Sequence, residues 1–178
     1  MALVFQYGSN MSVARLNGED RLAGDAKPIC VARTVEPFDL MFTVWSKSNN
    51  CAAADLVPGK TGRSIYGVVY EVPDFLLSRD TAKQRNRRSL DTIEGEGTNY
   101  VRAMIDLIRG DGSTVYAMTY VVKDRRSDLK TAYAYVRHIL LGLKEHNIPN
   151  EYCQYVRSKV IENNSDLENA LLTVTHDA

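Results

Sequence analysis

The chain has 178 residues, 44% of them hydrophobic, so a single domain spanning residues 1–178 with a sizeable core is expected. Its 22 lysines and arginines balance 22 aspartates and glutamates, which argues against the concentrated positive charge of a sequence-independent nucleic-acid binder. The opening apolar run stops at Gln6 without a basic flank, no stretch approaches the roughly 20 apolar residues of a membrane span, and Cys30, Cys51 and Cys153 form neither a CxxC pair nor a disulfide framework. These features point to a cytoplasmic protein with reduced thiols whose partner is a small molecule or another protein.

Taken in chain order, residues 3–7 read as a first apolar strand. It runs into Gly8-Ser9-Asn10 and a short helix over 11–16, with Ser9 or Asn10 as its N-cap. Strands are expected at 29–34, 40–45 and 52–57. Residues 64–72, Ser-Ile-Tyr-Gly-Val-Val-Tyr-Glu-Val, form the clearest strand, rich in β-branched and aromatic side chains. A helix is predicted over 75–93, with Arg85 to Arg88 on its solvated face. Strands at 100–109 and 114–123 flank Gly110-Asp111-Gly112-Ser113, which has hairpin-turn chemistry.

The period then changes. Leu129, Ala132, Tyr133, Val136, Ile139, Leu140 and Leu143 recur at helical spacing, capped by Ser127 or Asp128. Pro149 suits the first turn of a second helix with Tyr152, Cys153, Val156 and Val160 on one face. Residues 163–178 are expected to be a peripheral tail, helical or frayed. Strands first and a helical pair last make the fold class α+β, with a mixed or antiparallel sheet that can curl into a small barrel.

Val57-Pro58-Gly59-Lys60-Thr61 resembles a phosphate loop only superficially. The pattern needs a glycine where Ala54 stands, and a strand rather than a helix follows, so a turn is expected. His138, His146 and His176 have no second ligand at metal-binding spacing, and no metal site is expected.

Two stretches carry chemistry. Gly8 after an apolar strand allows a sharp turn, and the amides that follow can hold a carboxylate or a developing oxyanion. In Leu90-Asp91-Thr92-Ile93-Glu94-Gly95-Glu96-Gly97, three carboxylates gather at the C-terminal end of the predicted helix. The negative end of the helix dipole and any burial would raise a carboxyl pKa there.

These stretches together resemble the γ-glutamylcyclotransferase family. The resemblance rests on Tyr7-Gly8-Ser9-Asn10, on Gly67-Val68-Val69-Tyr70, and on Leu90-Asp91-x-x-Glu94-Gly95 followed by Tyr100. A late Gly142-x-Lys144-Glu145-x-x-Ile148-Pro149-x-x-Tyr152 completes it. Ile93 stands where close relatives of the animal enzyme often have glutamine, which bears on substrate subclass more than on chemistry.

The resemblance implies a small mixed-strand β-barrel with flanking α-helices. It implies cyclisation of a γ-glutamyl compound to 5-oxoproline with Glu94 as general acid/base, and binding of the substrate by Tyr7, Gly8, Ser9, Asn10, Tyr100 and Tyr120. No metal or organic cofactor is implied. The partner is a small-molecule γ-glutamyl substrate, not nucleic acid or membrane, and the oligomeric state stays open, a homodimer being one option. The leaving group also stays open among an amino acid, an amine and a biosynthetic intermediate, and a non-catalytic binding module of the same fold is the alternative from another class.

Overall fold

The computed structural model of the chain describes residues 1–59 and 62–173. Among these, β1 (Ala2–Gln6), β2 (Lys27–Thr34), β5 (Tyr66–Val72), β6 (Tyr100–Arg109) and β7 (Thr114–Val122) close into a barrel in the order β1-β5-β2-β6-β7. Neighbouring strands run antiparallel except at the closing seam, where β1 meets β7 in parallel at Val4 and Met118. The barrel is therefore mixed, as expected. β3 (Phe38–Ser46) and β4 (Cys51–Pro58) stand apart as an antiparallel ribbon with an irregularity between Phe42 and Val44.

Fully buried Val4, Val68, Val69 and Leu107 belong to the core. Each such side chain contributes about 1.5–3 kcal/mol relative to exposure. The ribbon is tied to the barrel by polar contacts. Asp55, with no exposed surface, accepts from the Val122 amide (3.1 Å), the Thr43 hydroxyl (2.9 Å) and Arg125 Nε (2.6 Å). The Tyr135 hydroxyl accepts from the Ala54 amide at 3.0 Å, and the Tyr100 hydroxyl donates to the Ala54 carbonyl at 2.7 Å.

The strands from 100 onward and the hairpin between them lie where the pattern puts them. Gly112 takes φ +84° in the turn, and Arg109 N donates to Ser113 O at 2.8 Å.

Several helical expectations are corrected. Residues 75–93 do not form one helix. The chain makes a 3₁₀ turn at Asp74–Leu76, then α2 (Arg79–Lys83), then α3 (Leu90–Glu94). Ser78 and Ser89 each accept the amide three residues on and so restart the helix, while Asn86 at φ +53° breaks it between them. The basic run is thus not on a helix, although Arg85 and Arg88 are exposed as expected. Arg87 donates to Leu22 O (2.7 Å) and pairs with Asp25 (2.6 Å), and Arg88 donates to Asp20 O (2.9 Å). These bonds hold the loop after α1 (Val13–Leu16).

At the N-terminus, Ser9 and Asn10 are not caps but lie inside a 3₁₀ turn, Ser9–Met11, and Ser12 caps α1 by accepting from Arg15 N. Nor do Ser127 and Asp128 cap α4 (Tyr133–Glu145), whose N-cap is Ala132. Residues 129–131 stay extended because Lys130 O accepts from Ala52 N, and Asn163 and Asn164 bond the backbone of Leu129 and Thr131. Pro149 is the N-cap of α5 (Asn150–Asn163), one position before the first turn.

Beyond it, a 3₁₀ turn at Ser165–Leu167 leads into α6 (Glu168–Thr173), where Leu171 is buried and its carbonyl accepts from Arg157 at 2.7 Å. β4 ends at Pro58, and the remainder of the expected turn, Lys60 and Thr61, lies outside the described residues, as do His176 and the end of the tail. No helix among the described residues is long and apolar enough to cross a membrane.

Candidate active site

A small cavity opens at the end of the barrel between β1, β4 and α3. The residues named for catalysis and substrate binding all border it: Tyr7, Gly8, Ser9, Asn10, Glu94, Tyr100 and Tyr120. Gln6, Ala54 and Tyr135 complete the lining and were not foreseen.

The walls are held in place by the remaining motifs. Gly67 lies where a Cβ would come within 2.4 Å of Gln6 O and 2.6 Å of the Phe5 ring, so only glycine lets β5 lie this close to β1. Three residues on, the Tyr70 hydroxyl donates to Met11 O at 2.6 Å. The late motif grips the same loop from the other side. A Cβ on Gly142 would fall 2.6 Å from Met11 Cβ, Glu145 accepts from Val13 N at 3.0 Å, and His146 Nε2 donates to Met11 O at 3.0 Å. Both motifs thus position the 8–13 turn rather than touch the cavity.

Within the turn, Met11 N donates to Gly8 O at 3.0 Å. The Ser9 and Asn10 amides precede this bond and have no acceptor inside the turn. Asn10 Nδ2 donates to Glu94 Oε1 at 2.6 Å, and Arg21 Nη2 donates to Asn10 Oδ1.

Glu94 is the last residue of α3, and Gly95 follows at φ +66° to end the helix. Burial pushes the Glu94 carboxyl above its ordinary pKa, while Arg21, the Asn10 and Gln6 amides and Arg15 hold it back. The short helix has little dipole to add, so burial replaces the helix end as the main cause. Asp91 was grouped with Glu94 at the helix end, yet it sits in the first turn, 8% exposed. There it accepts from Arg102 Nε (2.9 Å) and Nη2 (2.8 Å) and from the Tyr120 hydroxyl (2.9 Å). Glu96 faces away and pairs with Arg79.

The tyrosine protons are already placed. Tyr7 donates to Tyr120 O (2.7 Å), Tyr100 to Ala54 O (2.7 Å) and Tyr120 to Asp91. Burial raises all three hydroxyls, so they stay neutral and offer a ligand an oxygen acceptor rather than a donor. Gln6 differs. It is 6% exposed, and its buried Nε2 has no hydrogen-bond partner. It lies near enough to Glu94 to favour the charged carboxylate. The signal in the sequence was a polar residue closing the apolar strand Ala-Leu-Val-Phe.

Outside this cavity a second, larger chamber shares Ser9, Asn10, Glu94, Tyr100 and Tyr135 with it and has exposed Lys47, Ser48, Arg88 and Thr98 in its lining. Among the described residues, no group of three or more His, Cys, Asp or Glu side chains gathers as a metal site.

The sequence profile of the gamma-glutamyl cyclotransferase, AIG2-like family matches residues 4–138. No curated protein matches the chain. Among solved structures, a human protein described as uncharacterized superposes with a TM-score of 0.72 at 22% identity, over 88% of this chain and 86% of that one. A gamma-glutamyl cyclotransferase superposes at 0.69 and 23% identity, over 88% and 86%. YkqA from Bacillus subtilis does so at 0.68 and 21%, over 89% of this chain and 54% of its own. At these identities the superpositions show a shared fold, and the profile match, which covers the turn, the cavity and α3, places the chain in the gamma-glutamyl cyclotransferase, AIG2-like family.

Proposed function

We propose that the chain is a γ-glutamyl cyclotransferase in which Glu94 moves the proton. The observation that carries this reading is a half-buried carboxyl with a raised pKa, held by Asn10 where a small cavity meets a larger chamber. We place the γ-glutamyl head against the Gln6, Tyr7 and Gly8 side of the cavity and its leaving group in the chamber, which puts the scissile amide beside Glu94.

The α-ammonium of the substrate gives a proton to the Glu94 carboxylate. The freed amine attacks the γ-carbonyl carbon and closes a five-membered ring. The carbonyl oxygen becomes an oxyanion facing the Ser9 and Asn10 amides, where one donor is typically worth about 3 kcal/mol. The carbon–nitrogen bond then breaks as Glu94 returns its proton to the leaving nitrogen, and the ring nitrogen gives up its second proton, through the regenerated Glu94 carboxylate, to the departing amine, leaving 5-oxoproline and an ammonium product.

An ordinary glutamate near 4.3 and an α-amino group near 8 differ by roughly 5 kcal/mol for the first transfer. Burial of Glu94 reduces that gap. The Tyr7, Tyr100 and Tyr120 oxygens suit the ammonium as acceptors, and Gln6 Nε2 suits the head's carboxylate as a donor. Ring closure is unimolecular, so folding the glutamyl chain supplies much of the remaining advantage.

The test is incubation of the purified protein with γ-glutamyl-alanine and identification of the product. Cyclisation gives 5-oxoproline with alanine. Release of free glutamate would instead mean hydrolysis, and no product from any γ-glutamyl amide would favour a binding module.

A further inference from the structure

The outer chamber carries a charge imbalance that proton transfer does not use. The chain as a whole is neutral. Yet among the described residues lining this chamber Arg15, Arg21, Lys47 and Arg88 are cationic, and Glu94 alone is acidic.

Arg15 and Arg21 are half-buried, on α1 and in the loop after it. Their Nε atoms are buried without a hydrogen-bond partner, and among the described residues neither forms a salt bridge. Arg15 spends one nitrogen on Asn49 Oδ1 at 2.8 Å, and Arg21 spends one on Asn10 Oδ1. Two guanidinium groups brought together out of water repel each other, and Glu94 and Asp20 offset this only in part. Burial and this mutual repulsion pull the Arg21 pKa down to about 10. Arrangements of this kind are relieved when an anion occupies the site. Arg88 and Lys47 are exposed at the rim, with no acid opposite them in the lining.

We propose that the outer chamber is a receptor for an anionic leaving group, with Arg15 and Arg21 holding a carboxylate next to the scissile nitrogen and Arg88 and Lys47 selecting for a second negative charge. Resting on the cyclotransferase reading, this makes the substrate a γ-glutamyl conjugate of an acidic amino acid. Neutral and cationic amine conjugates are disfavoured because they leave the chamber's excess of positive charge uncompensated.

The experiment is calorimetric binding to the Glu94→Gln protein of γ-glutamyl-glutamate, γ-glutamyl-alanine, γ-glutamyl-alaninamide and γ-glutamyl-ethylamide. Loss of the α-carboxylate is expected to weaken binding about ten- to hundred-fold, the usual range for a charge-assisted hydrogen-bonded contact. Adding Arg21→Gln should erase the alanine-over-alaninamide preference, and adding Arg88→Gln only the glutamate-over-alanine preference. High salt should weaken the two carboxylates and leave the alaninamide unchanged, a readout that does not need the arginine variants to fold.

Equal affinity for γ-glutamyl-alanine and its amide at low salt, or no binding by any of the four, overturns the receptor. Anion-selective binding with no 5-oxoproline from the unsubstituted protein would instead overturn the cyclotransferase reading and leave the receptor standing.

Discussion

The proton chemistry rests on one carboxyl and the groups that face it. A glutamate whose folded pKa is raised binds its proton more tightly in the native state than in the unfolded chain. Native stability therefore falls as pH rises from the ordinary glutamate value through the raised one. Glu94→Gln keeps an oxygen for Asn10 Nδ2 and carries no charge. It should melt at the same temperature as the unsubstituted protein in acid and at a higher one at neutral pH, with the difference opening as pH rises; scanning calorimetry across that range checks it.

Arg21 favours the charged Glu94, so Arg21→Gln should move the acid limb of kcat/KM to higher pH. An unmoved limb would mean that another group titrates there. Gln6→Leu removes the unpartnered amide without opening a gap. If that amide holds the substrate's head, KM should rise about ten-fold or more with no loss of stability in denaturant.

Elements were legible where a local pattern and the tertiary arrangement agree. Residues 100–109 read as a strand and are one. In place of the single helix predicted over 75–93, three short polar residues divide the segment: Ser78 and Ser89 cap, and Asn86 accepts a left-handed turn that most residues avoid. The start of α4 was misplaced because Leu129 is apolar for the core yet extended for pairing with β4, a choice made by Ala52 and Asn163 far away in the chain. The motifs at 67–70 and 142–152 could be recognised, but their work could not. Only the packed structure shows both gripping Met11.

At this scale Gly142→Ala is the direct test. Its methyl group would press on Met11 and Ser12, costing about 1–3 kcal/mol in a denaturant titration and shifting the turn that carries Asn10, so activity should fall by more than the stability loss explains. Asp55→Ala acts elsewhere: it leaves Arg125, Thr43 and the Val122 amide without their acceptor and should cost about 3–5 kcal/mol by the same measurement.

For the whole molecule, the closed barrel provides the rigidity and the ribbon β3–β4 the second wall of the site. Ala54 belongs to that ribbon, and both of its backbone polar groups are held by tyrosines that line the cavity. Cavity and chamber therefore meet at Glu94 only while ribbon, turn and α3 stay docked. The barrel was legible as a mixed sheet, its closure only through resemblance, since the parallel seam at Val4 and Met118 joins strands more than a hundred residues apart.

The most direct measurement of the central claim is 5-oxoproline release from γ-glutamyl-glutamate by the unsubstituted and Glu94→Gln proteins under saturating substrate. The account predicts turnover by the first and a loss of about a hundred- to ten-thousand-fold in the second, with substrate binding retained. A Glu94→Gln protein that still cyclises at the unsubstituted rate would contradict it.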